Sequence, residues 1–522
     1  MFLLIHTFPE EFTRENSAPV LAMPIDDTMR LSQIYGSVFQ GIALPVMLSP
    51  TRSKTTRLAR EIRRHQRWPI ERIAEFQLSR VKELFQLAER ESPFYRQRWA
   101  ELGVSADQLQ VIDDVRRFPI TSKQDLESNF PDGIAIASRR SPDWQYVGTR
   151  GTTRRVMVIH DFERRDFERA AIMVALTEDS PYWYGTREVS IPPDACSVHC
   201  GIESDRADSV TQQLFRLATR RVSWNSESIS DLRGLVMDNW ICAKTVLPPL
   251  PLGSDEDDLR ACVAELRKKR PMQLTALPEY LRALAKYIES SGDIPPPIPV
   301  IRPMGANFPQ AWKADIENAF RGSLREHYGS RELGPMAFDC REENGMHLLT
   351  SQHQIEVLRD GLPVADGEVG RVVVTDLHNL AMPIIRYDIG DLARVEYGPC
   401  ACGRNTPRIF VEGRIDDAFV TDGGRILTAE AISNFFASEP QVHDFELTEK
   451  QNGKWVLRVV PTDNATVDEQ ALAKRFLSWS GESRPISVRT TEVIRPEGFG
   501  KFRHCKSRSF HKIDSRTQVS EC

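Results

Sequence analysis

Between residues 68 and 102 the chain reads "WPIERIAEFQLSRVKELFQLAERESPFYRQRWAEL", with apolar positions recurring at spacings of three and four. That spacing lays one apolar stripe along a 3.6-residue helix, so amphipathic helices are predicted here. The stretch 118–131, "FPITSKQDLESNFP", is a proline-punctuated connection in which Thr121 and Ser122 stand as caps before a short helix. From 140 to 340, helical patterns alternate with short apolar runs, as in "LRACVAELRKKR" then "PMQLTAL", and "YLRALAKYIESSG" then "IPVIRPMG". This alternation predicts an α/β fold. After 345 the texture changes to strand and turn, with turn signals at Asp360–Gly361 and Asp366–Gly367. At 382–395, "MPIIRYDIGDLARV" reads as a strand that delivers Arg386, Asp388 and Asp391 to its end. A further change comes at 412–426, beyond which a helix at 428–438 and strands at 442–449 and 454–461 make a small α+β pattern. A hinge there would divide a large domain, 1–412, from a C-terminal one, 413–522.

A chain of 522 residues exceeds one simple core, which agrees with that division. Charged residues at 27% and hydrophobic ones at 41% are an ordinary globular balance. A net charge of −5 carries no basic excess and argues against nucleic acid as a partner. The arginine-rich run 52–67 reads as the solvated face of a helix. The N-terminal "MFLLIHTFPEEF" has no basic region before its apolar start and does not read as a secretory signal. The apolar segment 34–48 holds Gln40 and Pro45 and is shorter than a bilayer span, so core packing rather than a membrane is expected. Nine cysteines without a signal fit the reducing cytoplasm.

Four islands have residue types suited to chemistry. "YVGTRGTTRRVMV", 145–157, looks like a phosphate loop, with backbone N–H groups and hydroxyls that could cradle an anion, but with Arg150, Arg154 and Arg155 where such loops stay small. "HYGSRELGP", 327–335, sets an aromatic residue and a carboxylate four apart around a glycine turn. The strand 382–395 is the third, and "GFGKFRHCK", 498–506, with its glycine-flanked lysine, is the fourth. Each alone reads equally as a turn, a strand end or a basic surface loop.

Taken in this order the islands resemble the adenylate-forming enzymes, in the branch of the phenylacetate–CoA ligases, CapK-like proteins and factor-390 synthetases. The resemblance runs from about 65 to 505 and is most specific from 328 to 417, with "YGSRELGPMAFDC", "DGEVGRVVVTDLHNLAMPIIRYDIGDLARV", "PCACGR" and "GRIDDAF". It implies a large α/β adenylation domain with a β-rich part and a small, mobile α+β C-terminal lid. It implies that Tyr328, beside Gly329, lies against adenine and that Glu332 holds Mg²⁺. Gly305 and Ala306 would pass close to the base, Asp391 would take the ribose hydroxyls, and Arg414 would add a ribose or phosphate contact. Thr149, Gly151, Thr152 and Thr153 would hold the phosphates of ATP, Asp416 would be the hinge, and Lys501, Glu332 and Thr152 the catalytic set. The central Gly-Thr-Thr of the loop is present, but Arg150 stands at the family pattern's second Ser/Gly, Arg154 at its last glycine and Val156 at its proline. Asn307, Phe308 and Arg331 are further departures.

The cysteines carry a separate signal. Cys400 and Cys402 form a Cys-x-Cys knuckle, and Cys340 stands seven residues before His347. Three thiolates and one imidazole suit a closed tetrahedral zinc site, as the branch resemblance also implies; buried free cysteines are the plain alternative. Cys196, His199 and Cys200 are too crowded in sequence to make a full site alone.

The function implied is ATP-dependent activation of a carboxylic acid as an acyl-adenylate, followed by transfer to a thiol, CoA by default. Ligation to an amine is the alternative within the enzymes, and a degenerate binding or scaffold protein the alternative outside them. A homodimer is compatible with either. The acid itself would be read by the weakly matched region 180–245.

Overall fold

The computed structural model describes residues 38, 42, 44–45, 54–142, 144–148, 156–182, 186–192, 245–250, 255–305, 308–342, 345–462, 465–494 and 503–508. The amphipathic pattern near the N-terminus becomes α1 (Thr55–His65), α2 (Ile70–Glu91) and α3 (Pro93–Glu101). In α1, Leu58, Ala59 and Ile62 pack into a small core, while Arg57, Arg60 and Arg64 take the exposed face. The arginine run is therefore the outer side of a packed helix. In α2, Val81, Leu84, Phe85 and Ala88 are buried at the spacing that a single apolar stripe requires.

α4 (Lys123–Asn129) starts from a capping box: Ser122 Oγ accepts from the Asp125 backbone N–H, and the Asp125 carboxylate accepts from that of Ser122. Thr121 is not part of this cap. Its hydroxyl donates to the Ile385 carbonyl, and its backbone pairs in parallel with Tyr387.

β1 (Gln145–Gly148) and β2 (Met157–His160) form an antiparallel hairpin, and the phosphate-loop stretch 149–155 lies outside the described residues. After α5 (Phe162–Thr177) comes a parallel sheet of β3 (Glu188–Ile191), β4 (Thr245–Val246), β5 (Gln273–Ala276), β6 (Val300–Pro303) and β7 (Ser323–Leu324). Its spatial order is β4-β3-β5-β6-β7, and α6 (Glu256–Lys269), α7 (Pro278–Ser291) and α8 (Lys313–Phe320) lie in the crossovers. This is the α/β alternation expected from the sequence, with its own core around Leu274, Leu281, Ile301 and Phe320.

The texture change after 345 corresponds to an antiparallel sheet. It contains β8 (His327–Ser330), β9 (Gly334–Asp339), β10 (Met346–Leu348), β11 (His353–Arg359), β12 (Leu362–Pro363), β13 (Gly370–Asp376), β14 (Tyr387–Glu396) and β15 (Arg408–Arg414), in the order β12-β11-β13-β14-β15-β10-β9-β8.

The expectation for 382–395 needs correction. β14 begins only at Tyr387, and Arg386 precedes it in the left-handed region, φ 45°. The buried Arg386 guanidinium grips Glu356 at 2.9 and 3.1 Å and donates to the carbonyls of Arg116 and Phe118. Asp388 is taken by Arg371. Both are bound by structural partners, so only Asp391 of the three is left to a site.

Beyond β15 the chain forms a hairpin, β16 (Phe419–Val420) with β17 (Ile426–Leu427), then α9 (Ala429–Ala437). A four-stranded sheet follows, of β18 (Val442–Glu449), β19 (Trp455–Pro461), β20 (Ile486–Thr490) and β21 (Cys505–Lys506), with α10 (Glu469–Ser480) preceding β20. This smaller C-terminal region has a separate core built on Phe436, Phe445, Leu457 and Phe476. It rests on α7, where Arg282 donates to the His443 carbonyl at 2.7 Å. Among the described residues no helix is long and apolar enough to cross a membrane.

Candidate active site and metal centre

Tyr328 on β8 and Asp391 on β14 are separated by four strand spacings in the sheet order. A flat sheet would hold them roughly 19 Å apart, at about 4.8 Å per strand. Instead the Tyr328 hydroxyl donates to Asp391 Oδ2 at 2.7 Å. The sheet therefore curls until its edge strand faces its middle, and this curl creates the site. Burial first, and then the Asp391 charge, raise the Tyr328 hydroxyl well above its ordinary value, so it remains the donor.

Arg414 sits directly across from Asp391 in the β14–β15 ladder. Its Nε lies 3.2 Å from Asp391 Oδ1, an ion pair without hydrogen-bond alignment. Glu332, in the turn between β8 and β9, is buried and accepts from the Tyr387 hydroxyl at 3.4 Å. A Cβ at Gly329 would stand 2.6 Å from the Gly334 carbonyl oxygen, so only glycine lets β8 and β9 approach this closely. Four predicted residues, Tyr328, Glu332, Asp391 and Arg414, thus come together.

Gly305 lies just beyond the C-terminal end of β6, at φ 85°, the kind of crevice where open α/β sheets bind ligands. A Cβ there would meet Leu277 at 3.4 Å, and no hydrogen bond joins it to the Tyr328–Asp391 pair among the described residues. Ala306, Lys501, the loop residues Thr149, Gly151, Thr152 and Thr153, and the Cys196, His199, Cys200 group lie outside the described residues.

Sequence reasoning gave no role to Lys123, the first residue of α4, although its stretch "FPITSKQDL" belongs to the family resemblance. Its ammonium and the Arg414 guanidinium flank the same face of Gly390, each 3.4 Å from where a Cβ would stand. Burial, then Arg414, lower its pKa, against the raising effect of Asp391, Glu332 and Asp416. A lysine immediately after a cap was the available signal. Its meaning depended on β14 passing close by.

The second cluster is Cys340, His347, Cys400 and Cys402, whose ligand atoms all lie within 4.8 Å of one another. Cys340 Sγ and Cys400 Sγ are 3.5 Å apart, and Cys402 Sγ is 3.2 Å from His347 Nε2. Zinc–sulfur bonds of about 2.3 Å in a tetrahedron put sulfurs about 3.8 Å apart, so the spacing fits a metal. His347 Nδ1 lies 3.1 Å from the Thr406 carbonyl, which fixes the proton on that nitrogen and turns the Nε2 lone pair to the thiols. Burial lowers the His347 pKa to about 4, so the ring is neutral, as a ligand must be. The knuckle turns at Gly403, φ 86°, and is braced by the buried Arg404, which pairs with Glu178 at 2.9 Å and Asp179 at 2.7 Å.

No family model matches the chain. Curated relatives do. The phenylacetate–coenzyme A ligase of Thermus thermophilus is 24% identical over 404 residues, covering 74% of this chain and 80% of that protein. That of Escherichia coli is 25% identical over 373 residues, covering 69% and 75%. Protein CapK of Staphylococcus aureus is 20% identical over 326 residues, covering 62% and 63%. Among solved structures, 2-hydroxyisobutyryl-CoA ligase in the postadenylation state with 2-HIB-AMP matches with a TM-score of 0.64 at 18% identity, over 88% of this chain and 94% of that one. An open conformation of that ligase with 2-HIB-AMP and CoA gives 0.55 at 18% identity, over 84% and 93%. At such identity these structures show a shared fold.

Proposed function

We propose, from the premise that this chain belongs among the adenylate-forming proteins with phenylacetate–CoA ligase and CapK-like relatives, that it joins a carboxylic acid to AMP and passes the acyl group to a thiol, CoA by default. The observation that carries this reading is the convergence of Tyr328, Glu332, Asp391, Arg414 and Lys123 on one spot of the curled sheet. In the first step a carboxylate oxygen attacks the α-phosphorus of ATP and pyrophosphate leaves. In the second a thiolate attacks the acyl carbonyl and AMP leaves. The first step brings two anions together, so its barrier is largely electrostatic.

On this reading Tyr328 lies against adenine beside Gly305 and Ala306, Asp391 accepts from the ribose hydroxyls, and Arg414 reaches ribose or phosphate. Glu332 would hold Mg²⁺, which when bound neutralises phosphate charge. Thr149, Gly151, Thr152 and Thr153 would contact the phosphates, with the Lys123 ammonium on the same side as Arg414. The C-terminal unit would begin at 413, pivot at Asp416 and carry Lys501 to the α-phosphate. Zinc at Cys340, His347, Cys400 and Cys402 would be structural, because all four protein ligands close the tetrahedron.

Pyrophosphate exchange into ATP, measured across a panel of carboxylic acids, tests the reading. Exchange with at least one acid is expected, and none across the panel overturns it. Adding CoA or amines to the responsive acid then identifies the acceptor.

The altered loop favours a second reading, a non-catalytic binding protein. A glycine lost at a positive-φ position costs about 1 kcal/mol and can reshape a loop. Guanidinium groups, however, bind phosphate oxygens in pairs. Arg150→Ser and Arg154→Gly are therefore expected to weaken ATP binding by about tenfold, the loss of one charged hydrogen bond of roughly 1.5 kcal/mol. Isothermal titration with ATP decides this. Tighter binding in these variants would place the non-catalytic reading first.

A further inference from the structure

We propose that His160 is a positioning residue that ties the β1–β2 hairpin to the turn bearing Glu332. His160 is the last residue of β2 and is fully buried. Its Nε2 lies 3.0 Å from the Glu332 carbonyl oxygen, an acceptor that requires the proton on that nitrogen. The next carbonyl, of Leu333, is held twice: by Arg164 Nη2 at 2.6 Å and by His353 Nε2 at 3.0 Å. Three buried donors from β2, α5 and β11 thus grip two consecutive carbonyls.

Two of the donors have further partners. Arg164 pairs with the buried Asp376 of β13 at 2.6 Å. Glu168, one turn along α5, stands 3.4 Å from His160 Nδ1. It also packs against Gly334, where a Cβ would fall 3.0 Å from Glu168 Cγ. The turn is closed in front by the Ser330 hydroxyl, which accepts from the Leu333 N–H at 3.3 Å.

A peptide has only two soft dihedrals per residue. Fixing the carbonyls of Glu332 and Leu333 therefore fixes the planes on both sides of Leu333 and the direction in which the Glu332 carboxylate leaves the backbone. Arg164 and His353 bind this turn to the sheet, whereas His160 binds it to the hairpin. Of these three donors His160 alone lies on β2, so it sets where that strand stands relative to the Glu332 turn. A displacement of about 1 Å in such a pair can cost 10²-fold in rate.

The inference rests on the reading of Glu332 as the Mg²⁺ residue, and the test separates the two. His160→Leu removes the donor, and His160→Gln keeps an amide nitrogen that can take the place of Nε2. In pyrophosphate exchange, His160→Leu is expected to raise the half-saturating Mg²⁺ concentration by about tenfold, as losing the outer partner of a metal ligand does. The acid KM should hold, and His160→Gln should recover most of the shift. Mn²⁺ binding, followed by its paramagnetic resonance with a non-hydrolysable ATP analogue present, should weaken in parallel.

A His160→Leu protein that is less stable yet keeps the natural Mg²⁺ and Mn²⁺ dependence would overturn the proposal. If that variant does not fold, Glu168→Gln takes its place, with a smaller rise expected and no rise overturning. Glu332→Gln is the control for the underlying reading. Unaltered Mg²⁺ dependence there removes the role of Glu332, whereas its loss there together with natural dependence in the His160 variants removes the role of His160 alone.

Discussion

Lys501→Ala is expected to lower acid-dependent pyrophosphate exchange by about 10²- to 10³-fold, the usual effect of removing one group aimed at developing charge. Thermal unfolding should stay as in the natural protein. The expectation rests on where the neighbouring chain is fixed. Arg503 donates to the Asp416 carbonyl at 2.9 Å and pairs with Asp417, and β21 adds to the edge of the C-terminal sheet beside β18. Lys501 lies outside the described residues, two positions in sequence before Arg503, the anchor at the proposed pivot. An ammonium carried there can meet the α-phosphate and leave before the thiol arrives. Thioester formation from a supplied acyl-adenylate should therefore proceed at its natural rate in Lys501→Ala. Unchanged exchange in this variant would end the assignment, and equal loss in both half-reactions would mean that the lysine binds AMP rather than promoting its transfer.

Protein purified without added metal is expected to carry about one zinc per chain, and Cys400→Ser to lose it. The loss should cost on the order of a few kcal/mol, below the ~10–16 kcal/mol of a zinc-finger peptide, because the surrounding sheet has apolar support of its own. The cluster joins distant pieces of chain. Thr406, which orients His347, also donates to Gln66 Oε1 at 2.7 Å, and Gln66 in turn donates to the Leu348 carbonyl at 3.2 Å. Without the metal, the end of α1 and the 400–406 turn would loosen together. Elemental analysis and thermal unfolding with and without a chelator measure both effects. Natural zinc content in Cys400→Ser, or none in the natural protein, would sink the assignment.

The elements that could be read directly from the sequence were those governed by neighbours a few residues away. The stripe of Val81, Leu84, Phe85 and Ala88 needed only the helical period. The Ser122 cap and the glycine turns at 361 and 367 needed only local hydrogen bonds and a tolerance for positive φ. Likewise, the C-terminal region followed from alternation and turn spacing. Arg386 marks the limit: its neighbours look like strand, yet Glu356 and the carbonyls of Arg116 and Phe118 hold it in the left-handed region before the strand starts.

By itself, then, the sequence determined the amphipathic helices near the N-terminus, the change from α/β texture to antiparallel sheet, and which residue types are present for adenylate and metal chemistry. Only the tertiary structure decided which of them meet. The curl of the eight-stranded sheet brings Tyr328 to Asp391, ladder register sets Arg414 opposite Asp391, and the fold gathers Cys340 and His347 with Cys400 and Cys402. It also brought in Lys123 and His160, which no motif had marked. The physical reason is range. Helical period, capping and turn chemistry act within a few residues, whereas these contacts depend on sheet register and curvature, which are set by the packing of the whole domain.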